Sequence, residues 1–146
     1  MYHASKDLFL SWLAGVIDGD GCFTVSLTKQ HNSKTPRLTV WAQVCITSRQ
    51  DESWYLEYLQ KKIGFGKLYT KKASSAQQYP IVTYQTTNLE DGVRLSKMVL
   101  PYLVLKRDKC QKFIEFASYW LATNNPDKRG LPEGKGRSRR KGDKIR

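Results

Sequence analysis

The sequence predicts an α+β fold whose elements follow the order αββαββα. Three observations predict it. Apolar residues recur at helical spacing near the start, the middle and the end of the chain. Two pairs of alternating polar and apolar stretches lie between them, and glycine, proline or polar clusters mark the junctions. With 146 residues, 40% of them hydrophobic, we expect one domain with four antiparallel strands and helices on one face of the sheet.

The first helix is predicted in the stretch LFLSWLAGVID, with Ser5 or Asp7 as its N-cap. Its apolar residues cover more than one face, so we expect it to be buried on two sides. Gly19, Asp20 and Gly21 mark its end. The alternating stretch CFTVSLTKQ predicts a first strand, HNSKTP a turn, and RLTVWAQVCIT a long second strand that pairs with the first.

The second half of the chain carries the remaining helices and strands. A helix with Asp51 as its candidate N-cap has an apolar stripe and stops at Gly64. FGKLYTKK predicts a short third strand, and YPIVTYQTT predicts the strand that returns. Helical spacing resumes after Asn88, is broken at Pro101, and returns in a last helix over about 107–122.

The chain is strongly basic, with a formal net charge of +12, and residues 123–146 carry half of that excess. Such a charge favours a polyanionic partner, such as nucleic acid or an anionic membrane surface, although a ribosome-associated protein or a solubilising surface would share it. Residues 1–122 are expected to form the folded domain. The remaining tail is poor in apolar residues and predicts a flexible basic arm, for which we favour non-specific contact with DNA over a solvated tail or a nuclear address.

The cysteines and the apolar runs limit the class of protein. Cys22, Cys45 and Cys110 form no CxxC pair, so we expect buried, reduced thiols and neither a zinc site nor a disulfide framework. No apolar run reaches transmembrane length and the N-terminus lacks the layout of a targeting peptide, so no membrane partner is expected. We expect an intracellular protein that works where it is made, in a mitochondrion or chloroplast if an organelle encodes it.

The string LAGVIDGDG, residues 13–21, carries the strongest chemical signal. Ala14, Gly15 and Gly19 give the helix a face of small residues, which allows two helix backbones to approach closely. Because the string occurs once, its natural partner is the same helix of a second copy, in a two-fold contact. Asp20 would then lie beside its symmetry mate, where a cation must offset the repulsion of two carboxylates; magnesium fits because it prefers oxygen ligands. An ordinary glycine and aspartate turn is the alternative.

This string resembles the signature of the LAGLIDADG homing endonucleases. Two further segments resemble that family at corresponding points: IGFGKL (63–68) after the middle helix, and LPYLVLKRDKCQKFIEF (100–116) after the second strand pair. The order of elements also matches the family's αββαββα core over roughly residues 7–122. Because this chain has one copy of the signature, it resembles the branch of the family that acts as homodimers.

The resemblance implies a sequence-specific endonuclease that cuts double-stranded DNA. The signature helices would form the dimer interface, here through Trp12, Leu13, Ala14, Gly15, Val16, Asp18 and Gly19. The four strands of each chain would form a curved saddle in the major groove of a near-palindromic site. Asp20 and the backbone carbonyl of Gly19 would bind two or more Mg²⁺ ions shared at the dimer's active sites. Cleavage across the minor groove would leave 3′ overhangs.

Three more residues have roles that the same resemblance implies. Lys106 matches the family's lysine at the edge of the active site, where it could orient the water or stabilise charge on the phosphate; a surface lysine at a helix start is the alternative. Ser48 stands where relatives often carry a glutamine of the water network, with Gln50 two residues on, so its role departs from the family's pattern. Arg49 is expected to bind a phosphate, and Asp18 to support the helix junction rather than catalysis.

Alternation along the strands predicts which side chains meet the DNA groove. The apolar residues Phe23, Val25 and Leu27 of the first strand would face the core. The groove set is Thr24, Ser26, Thr28, Gln30, Arg37, Thr39, Trp41, Gln43, Arg49, Lys67, Tyr69, Lys71, Thr83 and Gln85. Arginine and lysine can donate to guanine and glutamine can pair with adenine, although any exposed sheet face would show similar alternation.

Two other functions fit the same scaffold. An intron RNA maturase would assist splicing and could tolerate the loss of Asp20, whereas cleavage requires that carboxylate. A non-cleaving DNA-binding regulator would bind DNA without cutting it, but the presence of both Asp20 and Lys106 argues against that alternative.

Overall fold

A computed structural model describes residues 5–30, 37–76 and 78–123, without the side chains of residues 28–30 and 37–39. The predicted turn HNSKTP and the basic tail from residue 124 onward lie outside the described residues. The helices are α1 (Lys6–Asp20), α2 (Trp54–Ile63), α3 (Leu89–Val99) and α4 (Arg107–Thr123), and the strands are β1 (Gly21–Gln30), β2 (Arg37–Arg49), β3 (Lys67–Lys71) and β4 (Ile81–Gln85). Short 3-10 helices span Gln50–Glu52 and Leu100–Tyr102.

This order of elements confirms the predicted α+β fold and its αββαββα sequence of helices and strands. The four strands form one antiparallel sheet in the order β1-β2-β4-β3, so each half of the chain contributes a strand pair and β2 and β4 join them in the centre. Gly21 pairs with Ile46 where β1 leaves α1, and Cys45 pairs with Gln85 where β2 meets β4. The sheet therefore begins directly at the end of the signature helix.

The core lies between one face of the sheet and the helices. Val44, Ile46 and Tyr84 of the central strands have no exposed surface, and neither do Leu13 and Ile17 of α1. Alternate residues of β2 and β4 are buried in this way, because side chains of a strand point to opposite faces. Within the described ranges, no helix has the length and apolar character needed to cross a membrane.

Capping at the two ends of α1 fixes its length. The Ser5 hydroxyl accepts a hydrogen bond from the backbone N–H of Leu8 at 3.2 Å, so Ser5 and not Asp7 is the N-cap. At the other end, the N–H of Gly21 donates to the carbonyl of Ile17. A Cβ at Gly21 would lie 2.8 Å from the Cα of Ile17, so only glycine allows the chain to enter β1 at this point.

Three sequence expectations were wrong. Asp51 does not cap α2, because Ser53 precedes the helix and the Asp51 carboxylate pairs with Arg49 instead. Val25 and Leu27 are 41% and 56% exposed, because β1 and β2 are longer than β3 and β4. Of the cysteines only Cys110 is buried; Cys22 is exposed and Cys45 half-buried. Burial raises the pKa of the Cys110 thiol to about 11.

The turn between α2 and β3 depends on two glycines with left-handed backbone. Gly64 ends α2 with a φ of 91°, and Gly66 has a φ of 93°. A Cβ at Gly66 would lie 2.5 Å from the ring of Tyr84, whereas a Cβ at Gly64 would meet nothing within 4 Å. Tyr84 is held in this position by the hydrogen bond that its hydroxyl donates to the carbonyl of Phe65 at 2.9 Å.

These glycines yield a prediction about stability. Gly64→Ala should lower the free energy of unfolding by about 1–2 kcal/mol, which is the cost of a left-handed alanine. Gly66→Ala carries the same backbone cost and also displaces Tyr84 from the core. It should therefore lower the free energy of unfolding further, by about 3 kcal/mol or above beyond the loss for Gly64→Ala. Urea unfolding of the two variants measures the difference; equal losses would contradict the close contact at Gly66.

Candidate functional site

The end of α1 places one carboxylate where a ligand can reach it. Asp20 is the last residue of the helix and is exposed, and none of the described residues forms a hydrogen bond or an ion pair with its side chain. Gly19 beside it is also exposed. The last carbonyls of a helix have no partner within the helix, so this end offers both carboxylate and backbone oxygen atoms to a cation.

Asp18 joins this end of α1 to the segment before α4. Its carboxylate accepts hydrogen bonds from the backbone N–H groups of Val104, Leu105 and Lys106 at 2.8, 3.2 and 2.9 Å. Burial by itself raises the pKa of Asp18, but the three N–H groups and the Lys106 ammonium group outweigh it, and the pKa lies below its ordinary value. Asp18 thus supports the helix junction, as the sequence predicted.

Lys106 completes this contact from the opposite direction. Its ammonium group donates hydrogen bonds to the carbonyls of Ile17, Asp18 and Gly21 at 3.0, 3.0 and 2.6 Å. A lysine has three donors, so all of them are used on the chain itself, and the carbonyl of Gly19 is left to another ligand. The positive charge lies at the negative end of the helix dipole, and one of its carbonyl partners belongs to Gly21, the residue that follows Asp20.

We give the name clasp to two sets of hydrogen bonds taken together. In one, the Asp18 carboxylate accepts from the backbone of residues 104–106; in the other, the Lys106 ammonium group donates to carbonyls at the end of α1. The clasp fixes where the helix ends and therefore where Asp20 lies. Sequence reasoning identified both residues but not the contact between them, because 88 positions separate Asp18 from Lys106 along the chain.

The outer face of α1 is narrower than the sequence predicted. Gly15 and Gly19 are exposed, and a Cβ at either position would meet nothing within 4 Å. Trp12 and Val16 lie beside them and are partly exposed. Leu13 and Ala14 have no exposed surface, because they face the chain's own core, so the structure places them away from the predicted interface. The expected small-residue face therefore consists of Gly15 and Gly19 without Ala14.

The predicted groove residues share the sheet face opposite the helices, which we call the open face. Strand pairing aligns them in rows across the sheet. The described members are Thr24, Ser26, Trp41, Gln43, Arg49, Lys67, Tyr69, Lys71, Thr83 and Gln85. Thr28, Gln30, Arg37 and Thr39 occupy the same parity, but their side chains lie outside the described residues.

Hydrogen bonds organise part of this face. The indole N–H of Trp41 donates to the side-chain oxygen of Gln43 at 2.8 Å. Thr47 and Thr83 share a hydrogen bond of 3.1 Å between their hydroxyls. Thr47 was missed as a member of the face, although its odd position in β2 matches Gln43 and Arg49; Cys22 was missed in the same way in β1.

Arg49 lies at the far edge of the open face and is held from two sides. Its guanidinium donates to the two carboxylate oxygens of Asp51 at 2.6 and 3.1 Å and stacks over the ring of Tyr79 at 3.9 Å. The hydrogen bond with Asp51 raises the pKa of Arg49. A shallow pocket of about 310 Å³ lies here, lined also by Lys71 and Lys72. Basic groups around a pocket suit a phosphate.

Ser48 lies on the other face of the sheet from Arg49. It pairs with Val82 of β4 and is half-buried. Along β2 it lies two residues after Ile46, the residue that pairs with Gly21. Its hydroxyl donates to the carbonyl of Arg49 at 3.3 Å. The side chain is thus on the helix side, where α1 ends, and not among the open-face residues.

Comparison with known proteins agrees with this architecture. A family model described as LAGLIDADG endonuclease matches residues 13–119. A protein of Schizosaccharomyces pombe named "Probable intron-encoded endonuclease Cox1-I1b" is 32% identical over 79 residues, which are 51% of this chain and 19% of that protein. The chain therefore spans about a fifth of the length of that relative.

Solved structures show the same fold at low identity. The homing endonuclease I-CvuI in complex with its target matches with a TM-score of 0.70 at 20% identity. The matched region covers 84% of this chain and 73% of the I-CvuI chain. The DNA-bound meganuclease I-SmaMI has a TM-score of 0.66 at 23% identity, with 79% and 38% covered. The archaeal I-Vdi141I with DNA has a TM-score of 0.62 at 22% identity, with 83% and 72% covered.

The clasp yields a prediction with a pH dependence. Asp18→Asn should lower the free energy of unfolding by about 1–3 kcal/mol at neutral pH, because the amide accepts fewer and weaker hydrogen bonds than the carboxylate. The folded pKa of Asp18 is depressed, so its contribution is fully present above the unfolded pKa of about 3.9 and is lost as the pH falls through the folded value. The gap between wild type and variant should therefore close in acid.

Urea unfolding at several pH values, from neutral to below the unfolded pKa, measures this gap. Asp108→Asn is the matched control, since Asp108 is exposed in the first turn of α4 and removes an equal charge from the same region. A loss of stability for Asp18→Asn that does not change with pH would contradict the clasp.

Proposed function

This chain belongs to the LAGLIDADG endonuclease family, and from that premise we propose that it is a sequence-specific, magnesium-dependent endonuclease of double-stranded DNA that works as a homodimer. One observation carries the proposal. An exposed Asp20, fixed by the clasp, ends a helix whose outer face is lined by glycine, and the open face of the sheet begins next to it. A single chain thus offers half of an active site and half of a DNA-binding surface.

The outer face of α1 supports the homodimer. Gly15 and Gly19 lie four residues apart, so they occupy one side of the helix and remove the side chains that would keep a second helix away. Trp12 and Leu8 add exposed apolar surface to this side, at 41% and 55%. A two-fold contact of α1 with its copy covers this surface and brings the two Asp20 carboxylates to one end of the helix pair.

The oxygen atoms at the end of α1 fit a divalent ion. Magnesium retains several water ligands and takes one or two carboxylates together with substrate phosphates. Asp20 and the Gly19 carbonyl, which Lys106 leaves free, supply such oxygen ligands, and the second copy supplies another set. When bound, two or more ions provide an activated water and stabilise both the attacking and the leaving oxygen of the phosphodiester.

The chain's own residues hold the geometry for that reaction. Asp20 provides the anchoring carboxylate, and Lys106 keeps a positive charge beside the phosphate while it fixes the helix end. Lys106 therefore acts on the reaction through position and charge, because its three donors are taken by carbonyls. Ser48, half-buried on the helix side, is proposed to hold a water through its hydroxyl in place of the family's glutamine.

The open face is the proposed DNA-reading surface. Lys67, Tyr69 and Lys71 are exposed along β3, and Gln43 and Gln85 present amides on the two central strands. Amide and basic side chains can form paired hydrogen bonds with base edges in the major groove. Because the dimer has two equal faces, the site should be a near-palindrome with one half-site for each chain. The resemblance to the family further implies a cut across the minor groove that leaves 3′ overhangs. The name of the S. pombe relative also fits an intron-encoded gene, as in an organelle.

The proposal is tested by cleavage of a randomised duplex library that contains near-palindromic sites. Purified protein with magnesium should cut a subset of sequences, and sequencing of the ends gives the site and the overhang. Binding without cutting would favour the DNA-binding regulator, and a preference for structured intron RNA would favour the maturase.

Asp20→Asn should abolish cleavage in magnesium and leave DNA binding in calcium within about threefold of wild type. The amide keeps the shape of the side chain but loses the charge that anchors the cation, and the cation supplies the activated water. Single-turnover cleavage and gel-shift titration on the selected site measure the two effects. Glu115→Gln, an exposed carboxylate of α4, is the matched control and should cut as wild type.

Gly15→Leu should break the dimer and spare the fold. The added side chain enters open space in the single chain, and leucine is a better helix former than glycine by roughly 0.5–1 kcal/mol, so thermal stability of the monomer should not fall. Sedimentation velocity should show a shift from dimer to monomer together with loss of cleavage. Glu115→Leu adds the same side chain to α4 and should remain dimeric; a dimeric Gly15→Leu would contradict the proposed interface.

Arg49 and Gln43 should affect DNA binding in different ways. Arg49→Ala should weaken binding to all sequences and reduce the slope of log affinity against log salt by about 1, because a phosphate contact is lost. Gln43→Ala should leave that slope unchanged and relax the preference at one base pair of each half-site, by about 1–3 kcal/mol. Affinity at several salt concentrations on matched and mismatched sites separates the two. Equal slopes for both variants would contradict the assignment of Arg49.

A further inference from the structure

Two of the three cysteines meet on the open face. Cys22 of β1 and Cys45 of β2 are directly opposite in the antiparallel register, and the Cys22 thiol shares a hydrogen bond of 3.4 Å with the Thr24 hydroxyl on the same face. The same transverse row continues through Gln85 to Lys67 at the other edge of the sheet. Cys22 is two residues from Asp20, so this pair lies at the end of the open face nearest to α1.

The register meets the geometric requirements of a disulfide. Residues directly opposite in an antiparallel pair have Cα atoms about 4.5 or 5.5 Å apart, and disulfides span Cα separations of roughly 4.4–6.8 Å. Residues paired in this way also direct their side chains to the same face of the sheet. A bond between the two sulfurs thus needs rotation of the side chains and no movement of the strands.

The three thiols differ in accessibility. Cys22 is exposed, Cys45 is half-buried beneath the same surface, and Cys110 is buried in the core, where its thiol lies 3.4 Å from the carbonyl of Ser96. A reagent in solution can reach Cys22 first. Cys110 provides an internal reference, because it should not react while the protein is folded.

We propose that Cys22 and Cys45 form a thiol–disulfide modification site that reacts reversibly with low-molecular-weight disulfides. Cys22 takes the reagent and Cys45 removes it again by closing the cross-strand disulfide.

The two steps balance without any further reactant. The sulfur of Cys22 attacks one sulfur of glutathione disulfide, a mixed disulfide forms, and one glutathione leaves as a thiol with the proton of Cys22. The sulfur of Cys45 then attacks the Cys22 sulfur of the mixed disulfide, and a second glutathione leaves with the proton of Cys45. The two cysteine sulfurs lose two electrons in total, and one glutathione disulfide becomes two glutathione thiols.

Only the mixed disulfide, before Cys45 resolves it, should hinder access of DNA to the open face, and this consequence rests on the proposed function. A glutathionyl group on Cys22 adds bulk and negative charge where a phosphate backbone has to approach, so it opposes DNA binding. The cross-strand disulfide removes that group and adds no bulk. Bound DNA should in turn cover Cys22 and block the first step.

The test uses the full chain and glutathione disulfide as the probe. The folded protein is treated with the probe, free thiols are blocked with a maleimide after denaturation, and tryptic peptides are analysed by mass spectrometry without reduction. Cleavage after Lys6, Lys29, Arg37 and Arg49 puts Cys22 in peptide 7–29 and Cys45 in peptide 38–49. Cys110 falls in peptide 110–112.

The expected result is the loss of two of the three free thiols, a linked pair of peptides 7–29 and 38–49, and full reversal by dithiothreitol. Cys45→Ser should instead retain one glutathionyl group on Cys22, which tests the resolving step. Absence of the linked pair, or glutathione retained on the wild type, would overturn the proposal.

A second arm adds a duplex of the selected site at low salt, and it should suppress the reaction of Cys22. Linked peptides that form equally fast with and without bound DNA would support the thiol site and contradict the open face as the DNA-binding surface. Glutathione found on Cys110 would show that the structure had opened, so linkage found under that condition would count against the proposal.

Discussion

The clasp between α1 and the start of α4 is the constraint on which the site depends. In it, the Lys106 ammonium group binds carbonyls at the negative end of α1, and the Asp18 carboxylate, whose pKa is lowered, accepts from three backbone N–H groups. Each charge is thus held by several hydrogen bonds. These contacts join residues from opposite ends of the domain. They also fix the last turn of α1, and Gly21 then forces the chain directly into β1. Asp20 is left exposed between a fixed helix and a fixed sheet.

The helix α1 serves three surfaces at once. Leu13, Ala14 and Ile17 fill the core, Asp18 binds the segment before α4, and Gly15 and Gly19 remain open for a partner. These three surfaces explain why the string LAGVIDGDG contains several small residues and two acidic residues with different roles. The Asp18 carboxylate is engaged by backbone groups of the same chain, whereas Asp20 is exposed and remains available for the metal binding that we propose. The sheet continues this arrangement, because its helix side is core and its open side is polar.

Much of the fold could be predicted from the sequence, because it depends on local patterns. Helix and strand spacing gave the order of elements, and alternation placed the side chains of Gln43, Arg49 and Thr83 on one face. What could not be predicted depends on contacts distant in sequence or on a small rotation of a helix. Ala14 was assigned to the outer face because residue type cannot fix which side of an all-round apolar helix is covered. Asp51 was assigned as a cap, but its pairing with Arg49 competes with that role. The carbonyl partners of Lys106 required the folded chain.

The most direct measurement is a crystal structure of the chain with its selected DNA site and calcium in place of magnesium. We expect two chains in contact through α1, with the Asp20 carboxylates of both chains and the Gly19 carbonyls on calcium ions beside the scissile phosphates. Lys106 should still be bound to the carbonyls of Ile17, Asp18 and Gly21. A complex in which calcium is bound away from Asp20, or in which Lys106 has left the end of α1 to contact DNA, would contradict this expectation.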